Sequence, residues 1–288
     1  MNFTTIFHIF DAWTKIFNRS MKHIETNFEN RNRSDNIRMK IYEEKDHGSA
    51  YVAQRLADLI ISKQKIGAPA VLGLATAATP KGVYKELIRL HKDEGLSFRN
   101  VFTFNLDEYY PMLPTNEMSY ATFMKKHLFE HIDIPAENTN IVDGSLSHHD
   151  IDNHCNLYEK KISDLGGIDI QLLGIGRSGH IGFNEPGSTA NSVTRLVTLC
   201  DTTRKDAISD FDGLENVPVQ AITMGVKTIL DAKEIILIAW GNKKSDIMQK
   251  TLGEVSAEVP ASYLLTHPNV EIILDQDSAS LCKIVTAV

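Results

Sequence analysis

Cysteine is scarce in this 288-residue chain: only Cys155, Cys200 and Cys282 occur, and no two stand at a short pair spacing. A disulfide framework and a zinc site are therefore set aside as organising features. A reducing compartment, the cytoplasm, is the expectation. No apolar run approaches the ~18 residues of a membrane span, so a membrane is not an expected partner. Basic charge is in deficit, with a formal net charge of -7. That argues against nucleic acid, which asks for a basic face, but leaves room for a local basic pocket that holds a phosphate. There is no internal repeat and no low-complexity block. The opening residues, MNFTTIFHIFDAWTKIF, lack the basic start and small-residue cleavage site of a secretory signal. They are apolar but broken by His8, Asp11 and Lys15, which suits an amphipathic helix or a tail ahead of a second start at Met21.

What is present is an ordinary globular composition, 42% hydrophobic, enough for a full core. Residues 18–45 are polar and rich in basic groups and read as a linker or leading extension. Residues 46–288 read as one domain. Within it, Val52, Leu56, Leu59 and Ile60 recur at helical spacing over 49–65. AVLGLA (70–75) is a buried strand. Residues 80–95 form a helix with Pro80 in its first turn and Gly95 past its end. NVFTFNL (100–106) is a second strand, followed by helices over 120–132 and 150–165. IDIQLLGIG (168–176), QAITMGV (220–226), EIILIAW (234–240) and VEIILD (270–275) complete the strands. Strands that alternate with helices imply parallel pairing. Strands that are apolar throughout suit a sheet covered on both faces. The fold expected is α/β, a Rossmann-like doubly wound, mostly parallel sheet with helices on both faces.

Three unusual segments directly follow strands: TAATP after 70–75, LDEYY after the second strand, and RSGHIGFNEPGS after the third. Ligands in such sheets bind outside the carboxyl ends of the strands, so these loops converge. TAATPKG can bind an anion through the free N–H groups of a helix start, or be a plain N-cap at Thr79. LDEYY can be an acidic turn or a source of a base. The loop 174–188 carries five glycines around one His, one Asn and one Glu. Gly176, Gly179 and Gly182 let the backbone approach a ligand closely. His180 and Glu185 suggest a paired acid–base arrangement. His148, His149, Asp150, Asp152 and His154 could hold a metal, but the acids suit a helix N-terminus and the cluster reads as a solvated face. Lys243 and Lys244 open a helix at a strand's carboxyl end, within reach of the pocket.

LGLATAATP, TFNLDEYYPM, HIDIPAENTNI and GIGRSGHIGFNEPGS together resemble the glucosamine-6-phosphate deaminase family over residues 46–280. GHIGFNEP is specific to it; the related 6-phosphogluconolactonases share the fold but resemble GHTASLFP there. The resemblance implies an α/β enzyme, often a homo-oligomer, that acts on an amino-sugar phosphate with no metal or organic cofactor. It implies that Asp107 is the enolising base, its pKa raised by burial and by Glu108. It implies that His180 opens the sugar ring, as an imidazole that titrates near working pH can, supported by Glu185. Lys244 and the amides of Thr76, Ala77, Ala78 and Thr79 would bind the phosphate. Glu108, Gly176 and Gly179 would line the substrate site.

Four positions depart from the family pattern. Ala77-Ala78 replace a glycine-rich pair, and Ser178 replaces an Asp that orients the His. Ser209 stands where a phosphate-binding Arg is usual, with Arg204 close by. Val197 stands at a basic position of the family's allosteric site, where Ser188 and Arg195 are kept. A different sugar-phosphate isomerase or lactonase on this scaffold, or a catalytically quiet sensor, are the alternatives.

Overall fold

The computed structural model describes residues 23–27 and 37–282. The amphipathic reading of residues 1–17 lies outside them. Eight strands form one sheet in the order β1-β2-β11-β10-β7-β3-β4-β6. They are β1 (His23–Asn27), β2 (Ile37–Tyr42), β3 (Ala70–Leu74), β4 (Val101–Asn105), β6 (Thr139–Asn140), β7 (Ile170–Leu173), β10 (Ile235–Ala239) and β11 (Val270–Asp275). All neighbours pair in parallel except β1 with β2.

The two-residue period of a strand sorts these apolar runs onto two faces. In β10, Ile235, Leu237 and Ala239 enter one core while Ile236 and Ile238 enter the other. In β3, Val71 enters the first core and Ala70, Leu72 and Leu74 the second. Helices cover both faces, as expected. The second core is closed by α1 (Lys45–Lys65), through Val52, Leu56 and Ile60, and by α2 (Lys81–Glu94), through Val83, Leu87 and Leu90. The first is closed by α4 (Ile151–Asp164), whose Ile151, Cys155, Tyr158 and Ile162 form one stripe at helical spacing. The shorter helix α3 (Tyr120–His127) buries only Met124. The helix expected over 120–132 ends at His127 and resumes as a 3-10 turn, Phe129–His131.

Two features differ from the sequence reading. The segment read as a linker supplies β2, which pairs with β11 through six residues. Its IRMKIY alternates, so Ile37, Met39 and Ile41 join the core while Arg38 is exposed. QAITMGV does not join the parallel sheet. Its Gln220–Thr223 form β9, the middle of a second, antiparallel sheet between β5 (Asp107–Tyr110) and β8 (Arg195–Thr198).

The topology also positions the site. The chain builds outward from β3 through β4 to β6, then returns to place β7 on the other side of β3. The order therefore reverses between β3 and β7, and a crevice opens at their carboxyl ends. The loops 75–80 and 174–194 border that crevice.

Candidate active site

A cavity of about 250 Å³ sits at this switch point, lined by Thr76, Ala77, Thr79, Asp107, Gly176, His180 and Lys244 among others. The three loops singled out in the sequence thus meet, joined by the end of β10.

The main chain leaves β4 at Leu106, whose N–H still donates to Leu74 O of β3 (3.0 Å) and whose carbonyl accepts from Met224 N (2.7 Å). This hand-over from the parallel to the antiparallel sheet points Asp107 into the cavity. Asp107 is buried. Burial, then the neighbouring Glu108 charge, raises its pKa to about 8, with the Thr76 hydroxyl acting the other way. A carboxylate so destabilised is a strong base. Glu108 is not at the cavity. Adjacent residues of a strand face opposite ways, so only one of the two acids can reach it. The Glu108 carboxylate instead accepts from the N–H groups of Tyr109 (2.9 Å), Tyr120 (3.1 Å) and Ala121 (3.2 Å), tying down the start of α3.

His180 is held by its own loop. Gly176 N donates to His180 O (2.9 Å), closing the turn. A Cβ on Gly176 would fall 2.0 Å from His180 Nε2, so only glycine leaves the imidazole its place. Nδ1 of the ring lies 2.8 Å from Ser178 Oγ, 3.4 Å from Thr203 Oγ1 and 3.6 Å from Glu185 Oε2. Nδ1 is thereby engaged, and Nε2 is left for a ligand. Burial lowers the His180 pKa, opposed by Glu185 and reinforced by Lys244. Glu185 does not line the cavity; its two oxygens accept from Cys200 N (3.2 Å) and Cys200 Sγ (3.2 Å). Gly179 does not line it either. Its φ of +84° makes the turn, and a Cβ there would meet Val259 Cγ1 at 2.8 Å.

The anion end is built from β3 and β10. No side chain caps α2, whose N-cap is Pro80, so Thr79 is not the cap and lines the cavity instead. The amides of residues 76–79 donate to no protein acceptor among the described residues. Amides and the helix start together favour an anion. Ala77 reaches this shape at φ 134°, a region that favours glycine; Ala78 does not line the cavity. Of the two lysines after β10, Lys243 is exposed and Lys244 turns inward, its Nζ donating to Ile175 O (2.6 Å). Burial, chiefly, lowers the Lys244 pKa.

Arg204 is not a ligand for this cavity. It lies in α5 (Asp201–Asp206), and its guanidinium donates to Leu214 O (2.9 Å) and Val217 O (3.1 Å). The neighbouring Thr203 faces the site instead. Sequence reasoning missed Thr203, Arg177, Asp206 and an aromatic wall of Tyr109, Tyr120 and Phe183. The Tyr109 and Phe183 rings lie 5.2 Å apart, and Tyr120 stacks on Phe183 at 6.1 Å. Arg177 and Phe183 sit inside the loop already singled out, and Tyr109 directly follows the acidic pair. A second cavity, about 410 Å³, is lined by Ser188, Arg195 and Val197, with Arg195 donating to Asn184 Oδ1 (3.0 Å) and Ser188 Oγ (3.3 Å). The histidines of 148–154 do not gather: no cluster of three or more metal-capable side chains occurs among the described residues. His154 Nε2 instead accepts from Asp143 N (3.0 Å).

Comparison with known proteins bears on what this arrangement does. A model of the family "Glucosamine-6-phosphate isomerases/6-phosphogluconolactonase" matches residues 43–273. A glucosamine-6-phosphate deaminase of Geobacillus sp. is 48% identical over 231 residues, 80% of this chain and 91% of that protein. A protein of Bacteroides thetaiotaomicron, described as glucosamine-6-phosphate deaminase-like, is 46% identical over 244 residues. The match takes in 84% of this chain but only 37% of that longer protein. Among solved structures, a monomeric glucosamine-6-phosphate deaminase superposes with a TM-score of 0.80 at 41% identity, covering 85% of this chain and 99% of that one.

Proposed function

Given that this chain belongs to the glucosamine-6-phosphate isomerase/6-phosphogluconolactonase family, we propose that it works as a glucosamine-6-phosphate deaminase. It converts D-glucosamine 6-phosphate and water to D-fructose 6-phosphate and ammonia. The observation that carries this reading is the meeting of Asp107, His180 and Lys244, from three separate strand ends, around one cavity. The identity with relatives named as deaminases supports the choice within the family.

The 6-phosphate lies against the amides of Thr76, Ala77 and Thr79 and against Lys244, in charge-assisted hydrogen bonds. His180, steadied at Nδ1 by Ser178, Thr203 and Glu185, passes a proton through Nε2 to the ring oxygen as the C1–O5 bond breaks, and takes the O1 hydroxyl proton in return as the C1=O bond forms. Asp107 then removes the C2 proton. The C–H electron pair forms the C1=C2 double bond, and the C=O π pair takes a proton from His180 onto the aldehyde oxygen, which gives an enolamine. Asp107 returns its proton to C1, leaving an imine at C2. Water adds to C2, ammonia departs, and the ketose remains. One base serves both carbons, which requires a carboxylate of high proton affinity; burial of Asp107 supplies that.

The test is a coupled ammonia assay on D-glucosamine 6-phosphate. Ammonia and fructose 6-phosphate in equal amounts support the deaminase. Ketose without ammonia indicates isomerisation only, lactone hydrolysis in its place indicates a lactonase, and binding without turnover indicates a sensor. No helix among the described residues is long and apolar enough to cross a membrane. Cytoplasmic location and homo-oligomeric assembly belong to this proposal too. The solved relative is described as monomeric, so sedimentation of this protein decides the second.

A further inference from the structure

Among the described residues, Lys244 is the one lysine that lines the cavity, and Arg177 the one arginine. Lys244 has one of its three N–H donors taken by Ile175 O, and no carboxylate forms an ion pair with it among the described residues. A phosphate monoester carries close to two negative charges at neutral pH. One lysine leaves the second charge to the amides alone. Arg204 does not supply the missing cation, because it does not line the cavity and its Nη2 donates to the carbonyls of Leu214 and Val217.

Arg177 is engaged elsewhere, in a manner that a phosphate could imitate. Its guanidinium grips both oxygens of Asp206, Nε to Oδ2 at 2.9 Å and Nη2 to Oδ1. This is the planar fork that also fits phosphate. Asp206 lines the same cavity and closes α5. The pair is half open to water, with side chains 54% and 35% exposed, and exposed pairs are weakly held. Both charges are felt at Lys244, that of Asp206 raising its pKa and that of Arg177 lowering it. Arg177 and Lys244 thus border the same cavity.

We propose that Arg177 is a second cationic ligand of the substrate phosphate, held ready by Asp206, which the phosphate displaces. The inference rests on the sugar-phosphate reading of this cavity. Binding thereby cuts one of the links between the loop 176–182 and α5, and the contact of Thr203 with His180 remains. Asp206 acts here as a positioning residue: it keeps the guanidinium at the cavity but competes with the ligand for it.

The experiment measures, by calorimetry, the affinities of inorganic phosphate and fructose 6-phosphate for the wild type, Arg177→Ala, Arg177→Lys and Asp206→Asn, with kcat and KM beside them. Arg177→Ala weakens both ligands by about tenfold or more, the loss of hydrogen bonds to a charged group. It raises KM far more than it lowers kcat, because a phosphate remote from the reacting carbons supplies uniform binding. Arg177→Lys restores part of the affinity. Asp206→Asn tightens both ligands severalfold, since the competitor is gone. Unchanged affinity in Arg177→Ala overturns the inference. So does an Asp206→Asn variant that weakens binding as Arg177→Ala does, because the pair would then be a structural tie. A wild type that binds phosphate through Arg177 but releases no ammonia from glucosamine 6-phosphate sinks the deaminase reading and leaves this assignment standing. A wild type that binds neither ligand removes the assignment itself.

Discussion

The hydroxyl of Ser178 lies 2.8 Å from Nδ1 of His180, nearer than the 3.6 Å of the Glu185 carboxylate. The group that touches the imidazole directly is thus neutral, and the charge stands behind it. Burial disfavours the imidazolium and Glu185 opposes that, with Cys200 fixing both Glu185 oxygens from the far side. Three oxygens converge on one ring nitrogen, so His180 is oriented even though its nearest partner carries no charge.

Asp107→Asn abolishes turnover and leaves fructose 6-phosphate binding nearly intact, because the amide keeps the shape but cannot accept the C2 proton. It also changes stability in a pH-dependent way. The folded state binds the Asp107 proton up to about pH 8, whereas the unfolded chain releases it near 4. Folding is penalised by Asp107 increasingly as pH rises across that window. The variant therefore melts close to wild type at pH 4 and several degrees above it at pH 8. Thermal scans across pH check this, and equal melting temperatures at pH 8 would show that Asp107 is not strained by burial.

The pH dependence of kcat/KM reports the free enzyme. With Asp107 as the proposed base, acting as its carboxylate, kcat/KM rises with pH and its midpoint lies near 8. Glu108 is the second cause of that elevation, so Glu108→Gln moves the midpoint to lower pH. Burial remains, and the midpoint stays above the ordinary carboxylate range. A midpoint that does not move in Glu108→Gln assigns the limb to another group.

Ala77→Gly stabilises the protein. Residue 77 holds φ 134°, and such strain costs a non-glycine residue of order 1–3 kcal/mol. The added freedom of glycine in the unfolded chain costs about 0.5–1 kcal/mol. The net gain is about 1 kcal/mol, read from denaturant midpoints. A loss of that size, the ordinary effect of alanine to glycine, would mean that the loop is relaxed with alanine.

Much of this was legible in the sequence, and the exceptions have physical causes. The parallel strands are apolar on both faces, so β3, β7, β10 and β11 stand out as runs, and the loops after β3, β4 and β7 converge as topology demands. β2 was hidden because its IRMKIY alternation is embedded in charge; only its pairing with β11 shows why Ile37, Met39 and Ile41 are apolar. β9 reads like a core strand because it is buried, yet whether a buried strand joins the parallel or the antiparallel sheet depends on partners remote in the chain. In the site, Asp107, His180, Lys244, Thr76, Ala77, Thr79 and Gly176 converge on the cavity. Glu108 and Arg204 do not. Strand alternation turns Glu108 away and was readable beforehand, whereas the carbonyls that hold Arg204 are a tertiary fact. Arg177 was passed over because its role depends on Asp206, which is 29 residues away.

Ser178→Asp raises the forward rate. The new carboxylate takes the place of the hydroxyl beside Nδ1 and joins Glu185 in opposing the burial that lowers the His180 pKa. More of the imidazole then carries the proton that the ring oxygen needs at neutral pH. One pKa unit corresponds to a factor of about ten in that population while it is small, so the gain is severalfold and at most about tenfold. It is confined to ring opening. Following the reverse reaction from open-chain fructose 6-phosphate and ammonia bypasses much of that step, and the gain shrinks there. The low-pH form of His180, followed by NMR of the ring, also persists to higher pH than in the wild type. A variant slower in both directions would show that two carboxylates about one buried histidine repel more than they help, and that the neutral Ser178 contact is the arrangement this cavity requires.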